Sequence, residues 1–204
     1  MENKILHFIW MLDCSGSMTG EKIQSLNYAI RNALPSIIDI AEKNKDIQIF
    51  MRIIKFSDGA QWLTEKPVEL DKFIWSDLQT GGITDLGAAL DMVNEELSKL
   101  DKKTNLPPVI ILVTDGQPTD NYEEGLRKLL SSEIGSQSVR IAIAIGEDVD
   151  NDILQDFIGN NDERPLQAGN SHSLINLIKW SSINAVDKSF QQVKEYNCDD
   201  DEIW

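Results

Sequence analysis

Short apolar runs alternate with helical periodicity along most of the 204-residue chain. The apolar runs predict strands at residues 5–12, 47–56, 60–64, 109–113, 140–145 and 166–168. Helical patterns lie between them, at residues 23–41, 86–100, 120–130, 152–158 and 173–186. The run at 60–64 follows a Ser-Asp-Gly turn and is expected to pair with the preceding strand as an antiparallel hairpin. Strands that are apolar throughout and separated by helices indicate an α/β domain with a mostly parallel sheet covered on both faces.

The length and the pattern together indicate one domain. The apolar pattern weakens after about residue 186, so we expect the domain to span residues 1–186 and an acidic tail to span 187–204. The first apolar run is only as long as a strand, and no segment reaches the roughly 20 apolar residues that span a bilayer. The two cysteines, Cys14 and Cys198, are far apart, which argues against a disulfide framework and favours a cytoplasmic location.

The charge balance narrows the classes of partner. The chain carries 19 basic and 34 acidic residues, for a formal net charge of -15. Such a chain repels nucleic acids and anionic membranes, so we expect neither as a partner. The same balance suits divalent cations or a basic protein surface.

Candidate chemistry is concentrated where predicted strands end. The first strand leads into the stretch MLDCSGSMTGEKI, in which Asp13, Ser15 and Ser17 alternate and can point to one side of a turn. Thr84 precedes a predicted helix, and Asp115 ends the strand at 109–113. Ligands of open α/β sheets bind outside the carboxyl ends of the strands. Hydroxyl and carboxylate oxygens suit a small, hard divalent ion such as Mg²⁺, with waters or a partner filling the remaining positions.

Two other interpretations of the segment at residues 11–23 fit its sequence less well. A phosphate-binding P-loop requires G-x-x-x-x-G-K-[ST], but Gly16 and Gly20 are one residue too close together and Glu21 follows them. An aspartyl-phosphate enzyme of the haloacid-dehalogenase type would also begin with an aspartate after the first strand. Its second acid would stand where this chain has Ser15, which cannot act as an acid near neutral pH.

These residues resemble the von Willebrand factor A (VWA) family, whose metal-ion-dependent adhesion site (MIDAS) combines D-x-S-x-S with a threonine and an aspartate on two later loops. Asp13, Ser15 and Ser17 match the first loop, Thr84 the second and Asp115 the third, in the family's order. The resemblance implies a Rossmann-like VWA fold with a six-stranded, mostly parallel sheet, one short antiparallel strand and helices on both faces. It also implies a bound Mg²⁺, with Mn²⁺ and Ca²⁺ as alternatives.

The sequences of three motif segments, LDCSGSM, GGITDLGAAL and LVTDGQPTD, are similar to those of small bacterial TerY-like tellurium-resistance proteins. Those are stand-alone cytoplasmic VWA proteins that are often encoded beside a protein kinase and a PP2C-type phosphatase. The resemblance therefore implies a stress-response setting with a kinase and a phosphatase as partners. Cys14 stands between two matched positions, and we expect its side chain to point away from the metal.

The family resemblance implies protein binding rather than catalysis. Ser15, Ser17 and Thr84 would contact the ion, while Asp13 and Asp115 would act through waters or orient the hydroxyls. A glutamate or aspartate of a protein partner would complete the metal shell. The alternative is a metal-dependent phosphoester hydrolase or phosphatase that uses the same site. Asp85 and Asp120 are expected to cap the helices that follow them, with Glu123 completing a capping box beside Asp120. The alternatives are that Asp85 reaches the metal shell and that Asp120 contributes to a rim around the site.

Overall fold

A computed structural model describes residues 4–43, 47–146, 149–160 and 162–199. Within these ranges the strands are β1 (Lys4–Asp13), β2 (Ile47–Ser57), β3 (Gly59–Trp62), β4 (Val68–Glu69), β5 (Val109–Thr114), β6 (Val139–Ile145) and β7 (Leu166–Ala168). The helices are α1 (Glu21–Lys43), α2 (Leu86–Leu97), α3 (Tyr122–Ser131), α4 (Asn151–Ile158) and α5 (Ser171–Asp199). Every predicted strand and helix is therefore present, with bounds shifted by a few residues except at the end of α5.

The described strands form one sheet in the spatial order β3-β2-β1-β5-β6-β7, and β4 also pairs with β2. β1, β2, β5, β6 and β7 are parallel, whereas β3 and β4 each pair with β2 in the antiparallel sense. The predicted α/β fold with a mostly parallel sheet is confirmed. β4 is a seventh strand that the sequence pattern does not predict. It has two residues, which are too few to produce a periodic signal.

The central strand β1 supplies both layers of the core. Its residues alternate between the two faces of the sheet, as successive side chains of a strand must. Phe8 and Trp10 pack in the cluster that contains the apolar residues of α1 and α5. Ile9 and Met11 pack in the second cluster, with the apolar residues of α2, α3 and α4. Because β1 is buried on both faces, its carboxyl end is fixed by packing at the edge of the sheet where the parallel strands end.

The last helix is longer than predicted. α5 begins at Ser171, two residues before the predicted start, and continues to Asp199. It therefore crosses the boundary expected at residue 186, while residues 200–204 of the expected tail lie outside the described part. Although α5 has 29 residues, no helix in the described ranges is both long and apolar enough to cross a bilayer.

A buried ion pair joins β2 to α2. Arg52 Nη1 lies 2.5 Å from Glu96 Oε2, and the side chains are 8% and 11% exposed. Arg52 Nη2 donates a hydrogen bond to the Glu65 carbonyl at 3.0 Å, and the guanidinium lies 4.0 Å from the centroid of the Trp62 ring. Arg52 Nε is buried with no hydrogen-bond partner. The apolar pattern of this strand does not indicate such a pair.

Candidate metal centre

The two predicted acids meet because their strands are neighbours. Asp13 is the last residue of β1, and Asp115 directly follows β5, which pairs with β1 in parallel. Parallel strands end at the same edge of the sheet, so the two carboxyl groups are brought to one place. Both residues are buried. The sheet therefore gathers two acidic side chains at its carboxyl edge, away from bulk solvent.

Asp13 is held by two short hydrogen bonds. Its Oδ1 accepts from the Ser15 backbone N–H at 2.8 Å, and its Oδ2 accepts from Thr114 Oγ1 at 2.5 Å. Burial raises the pKa of Asp13, these bonds act in the opposite direction, and the nearby charge of Asp115 raises the pKa further. At neutral pH a charged Asp13 is therefore costly in the absence of a compensating cation. Thr114 was not singled out from the sequence, although it is a polar residue at the end of an apolar run.

The two serines link the first loop to Asp115. Ser17 Oγ donates to Asp115 Oδ1 at 2.7 Å, and the Oγ atoms of Ser15 and Ser17 lie 2.9 Å apart. Because the Ser17 proton is directed to Asp115, Ser15 is the donor in the bond between the serines. Three predicted residues thus form a continuous chain of oxygen atoms.

Thr84 lies on the same side of the site as Ser17. A Cβ atom added to Gly116 would lie 3.5 Å from Ser17 Oγ and 4.0 Å from Thr84 Oγ1, so the two hydroxyls face the same backbone position. Thr84 is held there by Thr119, since the Thr84 N–H donates to Thr119 Oγ1 at 3.0 Å and the Thr119 N–H donates to the Thr84 carbonyl at 2.8 Å. The third loop therefore positions the second.

Backbone contacts tie the first and second loops together. The Gly16 N–H donates to the Gly82 carbonyl at 3.0 Å, and the Gly81 N–H donates to the Cys14 carbonyl at 2.9 Å. Gly82 has a φ of +79°, and a Cβ atom there would lie 2.5 Å from the Asp58 carboxylate. Only glycine fits both the left-handed backbone and this close approach. The three loops therefore form one connected unit.

Cys14 faces the apolar core, as expected. It is fully buried and packs in the cluster that includes residues of α1 and α5. Burial, with the nearby Asp13 charge, raises the pKa of its thiol to about 12. The thiol is therefore protonated and unreactive at neutral pH.

Lys22 is a charged residue of the site that the sequence pattern does not indicate. Lys22, in the first turn of α1, forms an ion pair between its Nζ and Asp115 Oδ2. The Lys22 side chain is 36% exposed, whereas the Asp115 side chain is 0% exposed. The position of Lys22, just after the D-x-S-x-S segment, was the only available signal.

Asp85 occupies the expected position but not the expected role. It is the residue before α2, yet its side chain makes no capping hydrogen bond to that helix. Its carboxylate instead accepts from the Gly59 N–H at 2.7 Å and from Thr119 Oγ1 at 3.4 Å. The prediction that Asp85 caps α2 by its side chain is therefore wrong. Its contacts fix the loop that carries Thr84.

Asp120 caps a different helix from the one predicted. Its carboxylate accepts from the N–H groups of Gly87 and Ala88, both at 2.9 Å. These are the second and third residues of α2, the amides that an N-cap side chain normally satisfies. α3 begins at Tyr122 after Asn121, without a side-chain cap. The predicted capping box at Asp120 and Glu123 is therefore wrong, and Asp120 instead anchors α2 beside Thr84.

This arrangement predicts unequal effects of two neighbouring acids on stability. Asp120→Ala should lower the free energy of unfolding by about 1–2 kcal/mol, because two amides at the start of α2 lose their acceptor. Glu123→Ala, which removes the same charge three residues away, should change it by less than about 0.5 kcal/mol. Urea denaturation of the two variants measures the difference. Equal losses, or a larger loss for Glu123→Ala, would support the capping box instead.

The fold and the clustered hydroxyl and acid side chains define an α/β domain with a polar site at the carboxyl edge of its sheet, and comparison with known proteins gives the family. The family model of the von Willebrand factor type A domain matches residues 9–180, so the chain belongs to this family. VWA domains are typically interaction modules that bind divalent metal ions at a MIDAS.

Solved structures with the same fold come from diverse sources. A von Willebrand factor type A protein from Catenulispora acidiphila aligns with a TM-score of 0.67 and 14% identity, over 89% of this chain and 42% of that one. The ArnB paralog VWA2 from Sulfolobus acidocaldarius gives 0.62 and 23%, over 88% and 45%. Proximal thread matrix protein 1 from the mussel byssus, with a zinc-occupied MIDAS motif, gives 0.60 and 16%, over 88% and 45%. This chain therefore spans less than half the length of each.

The chemistry of the gathered side chains fits a hard divalent cation. In the described ranges, no group of three or more His, Cys, Asp or Glu side chains could hold a metal alone. A metal in this cleft would therefore depend on the serine and threonine hydroxyls in addition to the two carboxylates. Oxygen donors of this kind suit Mg²⁺, Mn²⁺ or Ca²⁺ better than softer ions.

Proposed function

We propose that this domain is a metal-ion-dependent protein-binding module. Mg²⁺, with Mn²⁺ or Ca²⁺ as alternatives, would be held by Asp13, Ser15, Ser17, Thr84 and Asp115. The observation that carries the proposal is the hydrogen-bonded chain from Ser15 through Ser17 to Asp115, next to the buried Asp13. When bound, the ion supplies an electrophilic centre with a coordination position for a ligand from outside the domain.

The missing ligand is proposed to be a glutamate or aspartate of a protein partner. Two of the five proposed ligands are carboxylates, and one of these, Asp115, already pairs with Lys22. A divalent ion would therefore keep a net positive charge in the cleft, which attracts another carboxylate. The zinc-occupied MIDAS of the mussel protein is consistent with metal binding at such a site.

Features of Asp13 favour binding over catalysis. An aspartyl-phosphate mechanism would need a free carboxylate oxygen that can attack the substrate. Asp13 is 0% exposed, and both of its oxygens accept hydrogen bonds. We therefore propose that the domain is not an enzyme, and that a metal-dependent phosphoester hydrolase is the weaker alternative.

The cellular setting is proposed from the sequence resemblance. The sequences of the three motif segments support the proposal that this is a TerY-like bacterial protein. It would act in the cytoplasm in a tellurium-resistance-like stress response. A protein kinase and a PP2C-type phosphatase are the proposed partners. The net charge of -15 makes nucleic acids and anionic membranes poor candidates.

A capture experiment tests the proposed function. The immobilised chain is exposed to native lysate with Mg²⁺ or with EDTA, beside Asp13→Asn and the control Asp39→Asn, which makes the same charge change on the exposed face of α1. We expect proteins that are retained in Mg²⁺ by the wild type and by the control, but lost with EDTA and with Asp13→Asn. Retention that ignores EDTA would contradict the proposal. Turnover of phosphoesters with Mg²⁺ that Asp13→Asn abolishes would support the hydrolase.

A further inference from the structure

The ammonium group of Lys22 contacts Asp115, which is one of the proposed ligands of the divalent cation. Ser17 occupies Oδ1 of Asp115, and the Lys22 ammonium contacts Oδ2, so both oxygens of this buried carboxylate are engaged. Among the described residues no cation contacts Asp13, whose oxygens accept from the Ser15 amide and the Thr114 hydroxyl. The two acids of the site are therefore compensated differently.

The position of Lys22 in its helix indicates that the pair is not incidental. Lys22 is the second residue of α1, where the positive end of the helix dipole disfavours an ammonium group. The contact with buried Asp115 offsets this cost. Gly146, which directly follows β6, lies beside this side chain, since a Cβ atom there would be in ordinary van der Waals contact with Lys22 Cε at 3.5 Å and with Nζ at 3.7 Å.

We infer that Lys22 is an internal cation that neutralises Asp115 in the metal-free protein and competes with the divalent ion for the site. This inference rests on the proposed metal-binding function. Without Lys22, a divalent ion would be balanced by the charges of Asp13 and Asp115. With Lys22, the loaded site keeps a net positive charge. Lys22 therefore weakens metal binding and makes the loaded site more attractive to a partner carboxylate.

The structure also provides space for a displaced ammonium group. Lys22 lines a cavity of about 200 Å³ between α1 and the start of α5, together with Gly146, Asn170 and Leu174. The lysine side chain can swing into this space when a divalent ion draws Asp115 away. The cavity therefore gives the lysine side chain space to move into when a divalent ion replaces it at Asp115.

Removal of Lys22 should have two opposite effects. Lys22→Met should bind Mg²⁺ about tenfold more tightly, because a like charge is removed from the vicinity of the ion. The metal-free variant should melt several degrees lower, because Asp115 is left buried without a counter-charge. Lys43→Met removes the same charge from the exposed end of α1, where Lys43 pairs with the exposed Asp39 side chain, so it should leave the Mg²⁺ affinity unchanged and the melting temperature almost unchanged.

Isothermal titration of Mg²⁺ alone, and of Mn²⁺ alone, into the wild type, Lys22→Met and Lys43→Met tests the inference. Lys22→Gln serves as a second variant, since its amide can still donate to Asp115 and preserves the fold if methionine does not. Tighter binding by either Lys22 variant, relative to Lys43→Met, supports the inference. Equal or weaker binding overturns it, while measurable binding by the wild type leaves the proposed function standing. Absence of binding in every protein would overturn both.

Discussion

Replacing Asp13 with asparagine is expected to lower the affinity for Mg²⁺ by about 10- to 100-fold while the domain stays folded. The amide has the shape of the carboxylate, so its oxygen can still accept from the Ser15 N–H. Thr114 Oγ1 can turn to accept from the new amide nitrogen. What is lost is the negative charge that a cation would compensate. Titration of Mg²⁺ into the purified variant measures the effect.

Stability measurements separate this effect from unfolding. Burial raises the pKa of Asp13, so its ionised form destabilises the metal-free protein as the pH rises above the unfolded-state pKa. At pH 7 the metal-free Asp13→Asn variant should therefore be at least as stable as the wild type. Asp39→Asn weakens an exposed ion pair with Lys43, so it should leave the Mg²⁺ affinity unchanged and lower the free energy of unfolding by less than about 1 kcal/mol. Unchanged Mg²⁺ affinity in Asp13→Asn would remove Asp13 from the proposed metal site.

The sequence was sufficient to predict that Asp13, Ser15, Ser17 and Asp115 gather at one place, although not that Lys22 and Thr114 join them. Asp13 and Asp115 end apolar runs, and runs of this kind become parallel strands whose carboxyl ends meet at one edge. The spacing of Ser15 and Ser17 is local to one turn, so it survives in the fold. The predicted cluster thus depends on two features that can be read from the sequence. These are the positions where apolar runs end and the short spacing between the polar residues that follow.

The partners of these side chains could not be predicted in the same way. Lys22 meets Asp115 across 93 positions of sequence, and Asp120 reaches Gly87 across 33. Such contacts depend on how whole loops pack on one another, which neither periodicity nor capping preference encodes. The local rule assigned Asp120 to the helix that follows it, but the packing of the second and third loops places it at α2. β4 could not be predicted, because two residues are too short for an alternation of apolar and polar positions.

Removal of the Glu96 carboxylate is expected to destabilise the domain more than any other change considered. Glu96→Ala should lower the free energy of unfolding by about 3–5 kcal/mol, because Arg52 would remain buried without its counter-charge. Among the described residues, the guanidinium would keep contacts with the Glu65 carbonyl and the Trp62 ring alone, and Arg52 Nε already lacks a partner there. Urea denaturation monitored by circular dichroism measures the loss.

Two comparison variants identify the cause of that loss. Glu95→Ala removes the adjacent acid of α2, which is 73% exposed, and should cost less than about 1 kcal/mol. The double variant Arg52→Met with Glu96→Leu removes both charges and refills the space with apolar groups. It should recover most of the stability lost in Glu96→Ala, because replacing a buried ion pair by apolar side chains of similar volume is often close to neutral. If the double variant were as unstable as Glu96→Ala, the loss would arise from packing rather than from an uncompensated charge.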